Sequence, residues 1–317
     1  MVYDLLMIVS RMEGGLGNQM FQYAYGAYVA HKHGCEHWLD ISSYMEAPAH
    51  GYLLDRFQIE AGVATSAMLA LRPRRYRKPE PTGVSSRTSF ARQLCAILPH
   101  RGWRRHKESP FGFHPRHLKI SSGRYLVGYW QSEQFFPGMK TDLLRQFTLR
   151  SELSGASQRV AERIEACNSL SIHVRRGDYV SDATAARIYY PLELYYYLRA
   201  IEAWGRSQAV AGGTPQVFIF SNDIGWCRQH FQLDWPVYFV DHNTPATAHE
   251  DLVLMSLAKS CVIANSTFSW WAAWLNRRQG ATIYAPSRWF LPGTLDGSGI
   301  VPAAWSRLDL SAVGQPV

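Results

Sequence analysis

Residues 171–179 read Ser171-Ile-His-Val-Arg-Arg-Gly-Asp-Tyr179, an apolar run that breaks off into two arginines, a glycine and an aspartate. A run this short, closed by a glycine, reads as a buried strand over Leu170–Val174 that carries polar residues into the loop at its carboxyl end. A steady rhythm follows. Pro191 opens an apolar-periodic helix through Trp204, proline suiting the first helical turn. Val217–Phe220 is a second strand, Ile224–Phe231 a short helix and Val237–Val240 a third strand. His249–Lys259 is helical, Cys261–Ala264 a strand, Thr267–Asn276 a helix, and Ala281–Ala285 a last strand stopped by Pro286. Strand alternating with helix implies a parallel sheet covered on both faces. In such sheets ligands bind outside the carboxyl ends of the strands, where the motifs of this chain sit.

The beginning of the chain repeats the pattern once, with a strand over Leu5–Val9, a glycine-bearing loop and a helix from about Met20 to His31, and then reads as irregular until Tyr125–Tyr129. At 317 residues the chain exceeds the usual single-domain size, and two domains sharing a cleft are expected. Gly155 and its serines interrupt the pattern, which divides the chain into 1–155 and 156–317.

Hydrophobic residues make up 47% and charged residues 18%, a globular composition. The opening apolar run is five residues long and follows an acid, too short for a signal peptide or a membrane span. The five cysteines are far apart, odd in number and lack a C-x-x-C pair, which fits reduced thiols in the cytoplasm. The net charge of +8 is local. Residues 72–107 hold eleven Lys or Arg against the single acid Glu80, so the remainder is slightly acidic. This window, rich in Pro and Ser, reads as an irregular basic insertion with one short helix near Phe90–Leu98. It is either a solvated loop or a surface for anionic membrane lipid or a phosphate-linked acceptor.

Three constellations carry chemistry. Glu13-Gly-Gly-Leu-Gly-Asn-Gln19 lies between the first strand and its helix, where glycines permit close backbone approach and the helix end offers amides to an anion. Its spacing is neither a Walker loop nor G-x-G-x-x-G, and Asn18 and Gln19 supply amides that both donate and accept. In the second, Arg175 and Arg176 are adjacent and point to opposite sides, so one faces a ligand and the other braces the loop. An arginine fork fits a diphosphate without any metal. His173 reads as a core histidine or a nucleotide contact. The third runs through Asp251, at a helix start where a carboxylate caps amides or meets a base edge or ribose, to Ser266 and Thr267 between a strand and a helix. Phe268 is placed to cover a base or sugar, and Trp270, Trp271 and Trp274 read mainly as core. The chain has no D-x-D, which favours charge neutralisation by arginine and helix ends over a metal; no cofactor or metal is expected.

Together these segments resemble the alpha-1,2-fucosyltransferases of glycosyltransferase family 11, the bacterial members in particular. The match runs through Gly14–Gly26, Leu39–Ser43, Gly51–Phe57, Gly128–Glu133, His173–Tyr179, Phe220–Cys227 and Asp251–Asn276, ending near Trp289-Phe290. The resemblance implies a GT-B-like α/β architecture: two Rossmann-like doubly wound domains facing a cleft, GDP-fucose on the C-terminal one and the acceptor entering from the N-terminal one. It implies an inverting transfer from GDP-beta-L-fucose to a galactoside, in a surface polysaccharide or O-antigen repeat built on a lipid carrier. Arg175 or Arg176 would hold the diphosphate together with Ser266, Thr267 and the amide of Phe268. His173 and Asp251 would meet the guanosine, Asn18 would lie near fucose and acceptor, and Gly15, Gly17 and Asn265 complete the expected donor site. Inversion in one step needs a group that takes the acceptor proton, and Asp178, beside the arginines, is the first candidate, with Asp182 the second.

Three other readings compete. A Rossmann oxidoreductase lacks the glycine spacing and an acid about 20 residues on. A basic nucleic-acid or membrane adaptor would use residues 72–107 and turn over no sugar; nucleic acid is not an expected partner. A fucosyltransferase of alpha-1,6 or protein O-linkage would share the nucleotide-site motifs.

Overall fold

A computed structural model of the chain describes residues 7–45, 51–73, 103–176, 182–208 and 213–309. The short helix expected near Phe90–Leu98 lies outside these, as does Asp178. Among the described residues there are two parallel sheets. The first has the order β3-β2-β1-β5-β4 and is built from β1 (Met7–Arg11), β2 (Glu36–Asp40), β3 (Gly62–Val63), β4 (Arg104–Lys107) and β5 (Arg124–Val127). Helix α1 (Leu16–His33) crosses over from β1 to β2. After α2 (Gly155–Glu165) the second sheet begins.

That sheet comprises β6 (Asn168–Val174), β7 (Pro215–Ser221), β8 (Val237–Val240), β9 (Ser260–Val262), β10 (Thr282–Pro286) and β11 (Ser306–Leu308). Its order, β8-β7-β6-β9-β10-β11, is 3-2-1-4-5-6 in its own numbering, the doubly wound dinucleotide-fold order. The connecting helices are α3 (Leu194–Gln208), α4 (Ile224–His230), α5 (Ala248–Ser256) and α6 (Thr267–Trp274). Chain order reverses between β6 and β9, where Leu170 pairs with Ser260 and Ile172 with Val262. In the first sheet it reverses between β1 and β5. The two reversals are where a ligand fits.

Every residue of β6 is buried, as expected for a central parallel strand covered on both faces. One apolar core runs through both halves: Phe21 of α1 packs 4.5 Å from Trp270 and 4.9 Å from Trp271 of α6, and Phe136 stacks on Trp271 at 5.7 Å. All three tryptophans of α6 are buried, in line with the core reading. Removing one such ring typically costs about 3–5 kcal/mol.

Several boundaries differ from those the sequence predicts. The stretch after His31 is not irregular: β2, β3 and β4 lie in it. β2 reads Glu-His-Trp-Leu-Asp and β4 reads Arg-Arg-His-Lys, and neither shows an apolar run. β4 is an edge strand, where charge protects the open ladder and hides the strand from hydropathy. The basic window therefore ends as a strand of the sheet. Helix α1 starts at Leu16, not Met20, so Gly17, Asn18 and Gln19 occupy its first turn. Helix α3 begins three residues after Pro191. β10 includes Pro286, and β11, polar and at the other edge, follows it.

Candidate active site

The two arginines follow β6, which ends at Val174, and stand in the loop at its carboxyl end. Arg176 is held on the β7 side: its guanidinium lies 4.0 Å over the Trp226 ring, its Nε meets Asp223 Oδ2 at 3.4 Å, and its backbone N–H donates to Asn222 Oδ1 at 3.1 Å. Arg175 follows the last residue of β6, two residues after His173. The His173 ring lies 5.5 Å from that of Phe268 at the start of α6, which brings the His173 side chain toward the β6–β9 reversal. His173 is 5% exposed and its Nδ1 finds no hydrogen-bond partner. Burial, then the charge of Arg175, pushes its pKa down to about 3, so the ring is neutral at pH 7.

Helix α6 starts at Ser266, whose side chain does not cap it; the first amides are left for another acceptor. Helix α1 starts after Gly15, also without a side-chain cap. The two helix ends meet. A Cβ on Gly17 would fall 2.4 Å from the Thr267 carbonyl carbon and 2.5 Å from the Phe268 nitrogen. Gly17 thus allows close backbone approach, but to the other half of the protein itself, a correction to the ligand approach inferred from the glycine-rich spacing. Two helix starts without side-chain caps lie side by side, and Arg175 follows the end of β6; helix starts of this kind favour an anion.

On the α1 side, Gly14 is in the left-handed region (φ +83°) and Asn18 packs against it. Asn18 Oδ1 accepts from Gln131 Nε2 at 3.0 Å, which joins the loop after β5 to the start of α1. Gln19 is wholly buried. Its Nε2 donates to the carbonyls of Gly14 and Gly51, and its Oε1 accepts from Leu53 N–H, so it builds the loop. Gln22 grips both backbone groups of Glu13 in the same way. Glu13 itself pairs with Arg11 at 3.1 Å.

Asp251 lies in the first turn of α5 and accepts from Asn243 Nδ2 at 2.6 Å. Burial raises its pKa to about 6, against the opposing effect of the Asn243 bond. Asn265 is 2% exposed and its Nδ2 donates to the carbonyls of Tyr190 and Trp289, tying three loops together. Asp182 is exposed and caps a short turn of helix through Thr184 N–H at 2.7 Å.

Sequence reasoning assigned no role to Glu108, Tyr129, Gln131, Asp223 or Trp226. The last four fall inside the segments Gly128–Glu133 and Phe220–Cys227, whose resemblance marks them as more than filler. Glu108 carried no such mark. Among the described residues no group of three or more His, Cys, Asp or Glu is placed to hold a metal ion. No described helix is long and apolar enough to cross a membrane.

With this geometry in hand, comparison with known proteins is direct. The family model described as glycosyl transferase family 11 matches residues 108–290, from Glu108 through the β6 loop and α6 to Phe290. An alpha-1,2-colitosyltransferase of Escherichia coli is 30% identical over 312 residues, 95% of this chain and 99% of that one. The galactoside alpha-(1,2)-fucosyltransferase 2 of Oryctolagus cuniculus is 28% identical over 176 residues, 53% of this chain and 48% of that one. Among solved structures, the alpha-1,6-fucosyltransferase NodZ of Bradyrhizobium superposes with a TM-score of 0.53 at 16% identity, covering 85% of this chain and 92% of that one. That likeness fixes the fold as the GT-B type, in keeping with two doubly wound sheets joined at a cleft. The family model and the relative that matches along nearly the whole length establish that the chain is a glycosyltransferase and belongs to glycosyl transferase family 11.

Proposed function

We propose that the protein moves L-fucose from GDP-beta-L-fucose, with inversion, to O2 of a terminal galactose of a surface polysaccharide or O-antigen acceptor. One observation carries this reading: two uncapped helix starts, at Gly15 and Ser266, pressed together by Gly17 beside the strand that Arg175 follows. Such a site matches a leaving diphosphate. Residues 156–317 are then the donor side and residues 1–155 the acceptor side.

Charge on the departing GDP is neutralised by Arg175 and the α6 amides of Thr267 and Phe268, with Ser266 alongside, and no metal is needed. Arg176 keeps the loop in place. Neutral His173 and Asp251 receive the guanosine, and Asn18, oriented by Gln131, sits at the sugar. Asn265 acts by holding the β9–α6 loop. Asp178 removes the acceptor proton; with it gone in Asp178→Asn, kcat at saturating acceptor falls about 100-fold or more, and an unchanged kcat eliminates that role.

The relative named for colitosyl transfer supports a second donor reading, in which the sugar is colitose, fucose without its 3-hydroxyl. The exposed Arg104, Arg105 and Lys107 on the edge strand β4, with Arg116 and Lys119 close in sequence, support peripheral contact with an anionic membrane carrying a lipid-linked acceptor. Co-sedimentation independent of anionic lipid removes that part.

The test is mass spectrometry of protein incubated with GDP-fucose or GDP-colitose and a panel of galactosides, with and without EDTA. Fucosylated product unaffected by EDTA supports the proposal, and linkage analysis decides between O2 and other positions. Colitosylated product alone moves the donor to the second reading. Protein that binds no GDP removes both.

A further inference from the structure

The loop after β5 is more heavily built than a connection between a strand and a short helical turn requires. Glu108, which follows β4, is 8% exposed, and no cation pairs with it among the described residues. Its Oε2 instead accepts the backbone N–H groups of Tyr129 at 2.7 Å and Trp130 at 3.1 Å, while Oε1 accepts Gly112 N–H at 3.3 Å. Burial raises its pKa, and these three bonds oppose the rise. Gly128 makes room for it: a Cβ there would stand 2.5 Å from that of Glu108.

The next residue but one, Trp130, is a non-glycine residue in the left-handed region (φ 55°), a conformation that persists only where the surroundings over-determine it. They do so here. Its ring is buried 4.2 Å from Tyr25 and stacks on His106 at 5.7 Å. Ser132 Oγ fastens the far side of the loop to the Gly299 carbonyl in the other half of the protein. Between Gly128 and Trp130 stands Tyr129, which is 37% exposed and whose hydroxyl bonds to no described residue. Burial, then the charges of Glu13 and Tyr189, raise its pKa. Tyr129 lies two residues past the end of β5, at the β1–β5 reversal, and two residues before Gln131, whose amide bonds Asn18.

We propose that Tyr129 is the platform on which the acceptor sugar lies, and that Glu108 is the positioning residue that presents it. This rests on the reading of the chain as a transferase to a glycan. A rigid aromatic ring with a free hydroxyl covers the apolar face of a pyranose and bonds one of its hydroxyl groups at small entropic cost. A buried carboxylate shared among three amides fixes the loop backbone from below, which is what a fixed acceptor angle needs.

Kinetics of three variants test it, with lactose as acceptor. Tyr129→Ala raises the acceptor KM about tenfold or more and leaves the donor KM within twofold, and Tyr129→Phe recovers most of the affinity because it keeps the ring. Glu108→Gln, which sets an amide N–H against backbone donors, raises the acceptor KM in the same direction. Combined with Tyr129→Ala it adds little further, because both changes remove one interaction. An acceptor KM unchanged in Tyr129→Ala overturns the proposal, as does a donor KM that moves in parallel. Fully additive losses in the double variant reduce Glu108 to a stability residue and overturn its part. If the wild type transfers nothing from GDP-fucose, the functional reading is what has failed. The platform is then read by saturation-transfer NMR of methyl beta-galactoside: a signal lost in Tyr129→Ala and kept in Tyr129→Phe supports it, and equal signals overturn it.

Discussion

The carboxyl ends of the two sheets use the same topology for opposite chemistry. At the end of the first sheet the acids are consumed internally: Asp40 accepts from Tyr125 at 2.5 Å and pairs with Arg72 at 3.5 Å, and Glu108 holds three amides. Beside them lie neutral groups, the bonded amides of Asn18 and Gln131 and the part-exposed Tyr129, together with the internally paired Arg11 and Glu13. At the end of the second sheet stand Arg175 and an uncapped helix start, and Asp223 and Trp226 hold Arg176. A doubly wound sheet provides the crevice, and the residues spent on bracing decide what charge is left to meet a ligand. Neutral amides and an aromatic ring suit a sugar; an arginine with helix amides suits a diphosphate.

The largest effects are expected at the two arginines. Arg175→Ala is expected to lower kcat about 100- to 1,000-fold with an unchanged melting temperature, the loss typical of one transition-state charge donor. If Arg176→Ala proves equally severe and the protein stays folded, the division into ligand arginine and brace is wrong. Next in size is Gly17→Ala, which drives a methyl group into the Thr267–Phe268 peptide and cannot be relieved by a side-chain rotation. Prising the two helix starts apart should cost about 1–3 kcal/mol in denaturant unfolding and weaken GDP binding with it. Loss of stability without loss of GDP affinity would show that the anion site does not depend on the junction.

A smaller, pH-dependent effect concerns Asp251. Its pKa is raised to about 6 by burial, so the folded state favours the protonated acid; its contribution to stability is present below about pH 4 and lost as pH rises through 6. Asp251→Asn should therefore gain on the wild type between about pH 4 and 6, reaching a plateau of about 2–3 kcal/mol above pH 7, while binding GDP less well. A stability difference that is flat with pH removes this assignment. His173 works in the other sense, since a histidine kept neutral down to about pH 3 withdraws stability as pH falls below 6.5. Only the difference between variant and wild type isolates Asp251. The smallest effect expected is that of Arg176→Ala on stability, about 1 kcal/mol from the lost stacking on Trp226 and the half-exposed pair with Asp223, by thermal melting.

The second half was far easier to read from the sequence than the first. Its central strands are buried on both faces, so each appears as a run such as Leu170–Val174 or Val217–Phe220, and Val237–Val240 was predicted to the residue. The first half hides its strands because three of five are short, polar or at an edge: Arg104–Lys107 carries three basic residues, and Gly62–Val63 is two residues long. Local pattern reports burial, and these strands are little buried. The same limit applies to the site. Glu108 looks like any surface acid in a basic stretch, and nothing local announces that Tyr129 and Trp130 will close over it.

Read locally, the sequence carries the alternation of strand and helix from residue 169 onward and the positions of its polar motifs at strand ends. It also placed the tryptophans of α6 in the core. Only the tertiary structure decided which arginine is the brace, that Gly17 meets Thr267 rather than a ligand, and that a carboxylate at 108 shapes a loop at 129. Each of these depends on a partner between about 20 and 250 residues away along the chain. Alternation and hydropathy act over a few residues, and contacts of that separation exist only once both sheets are formed and their carboxyl ends are turned toward one another.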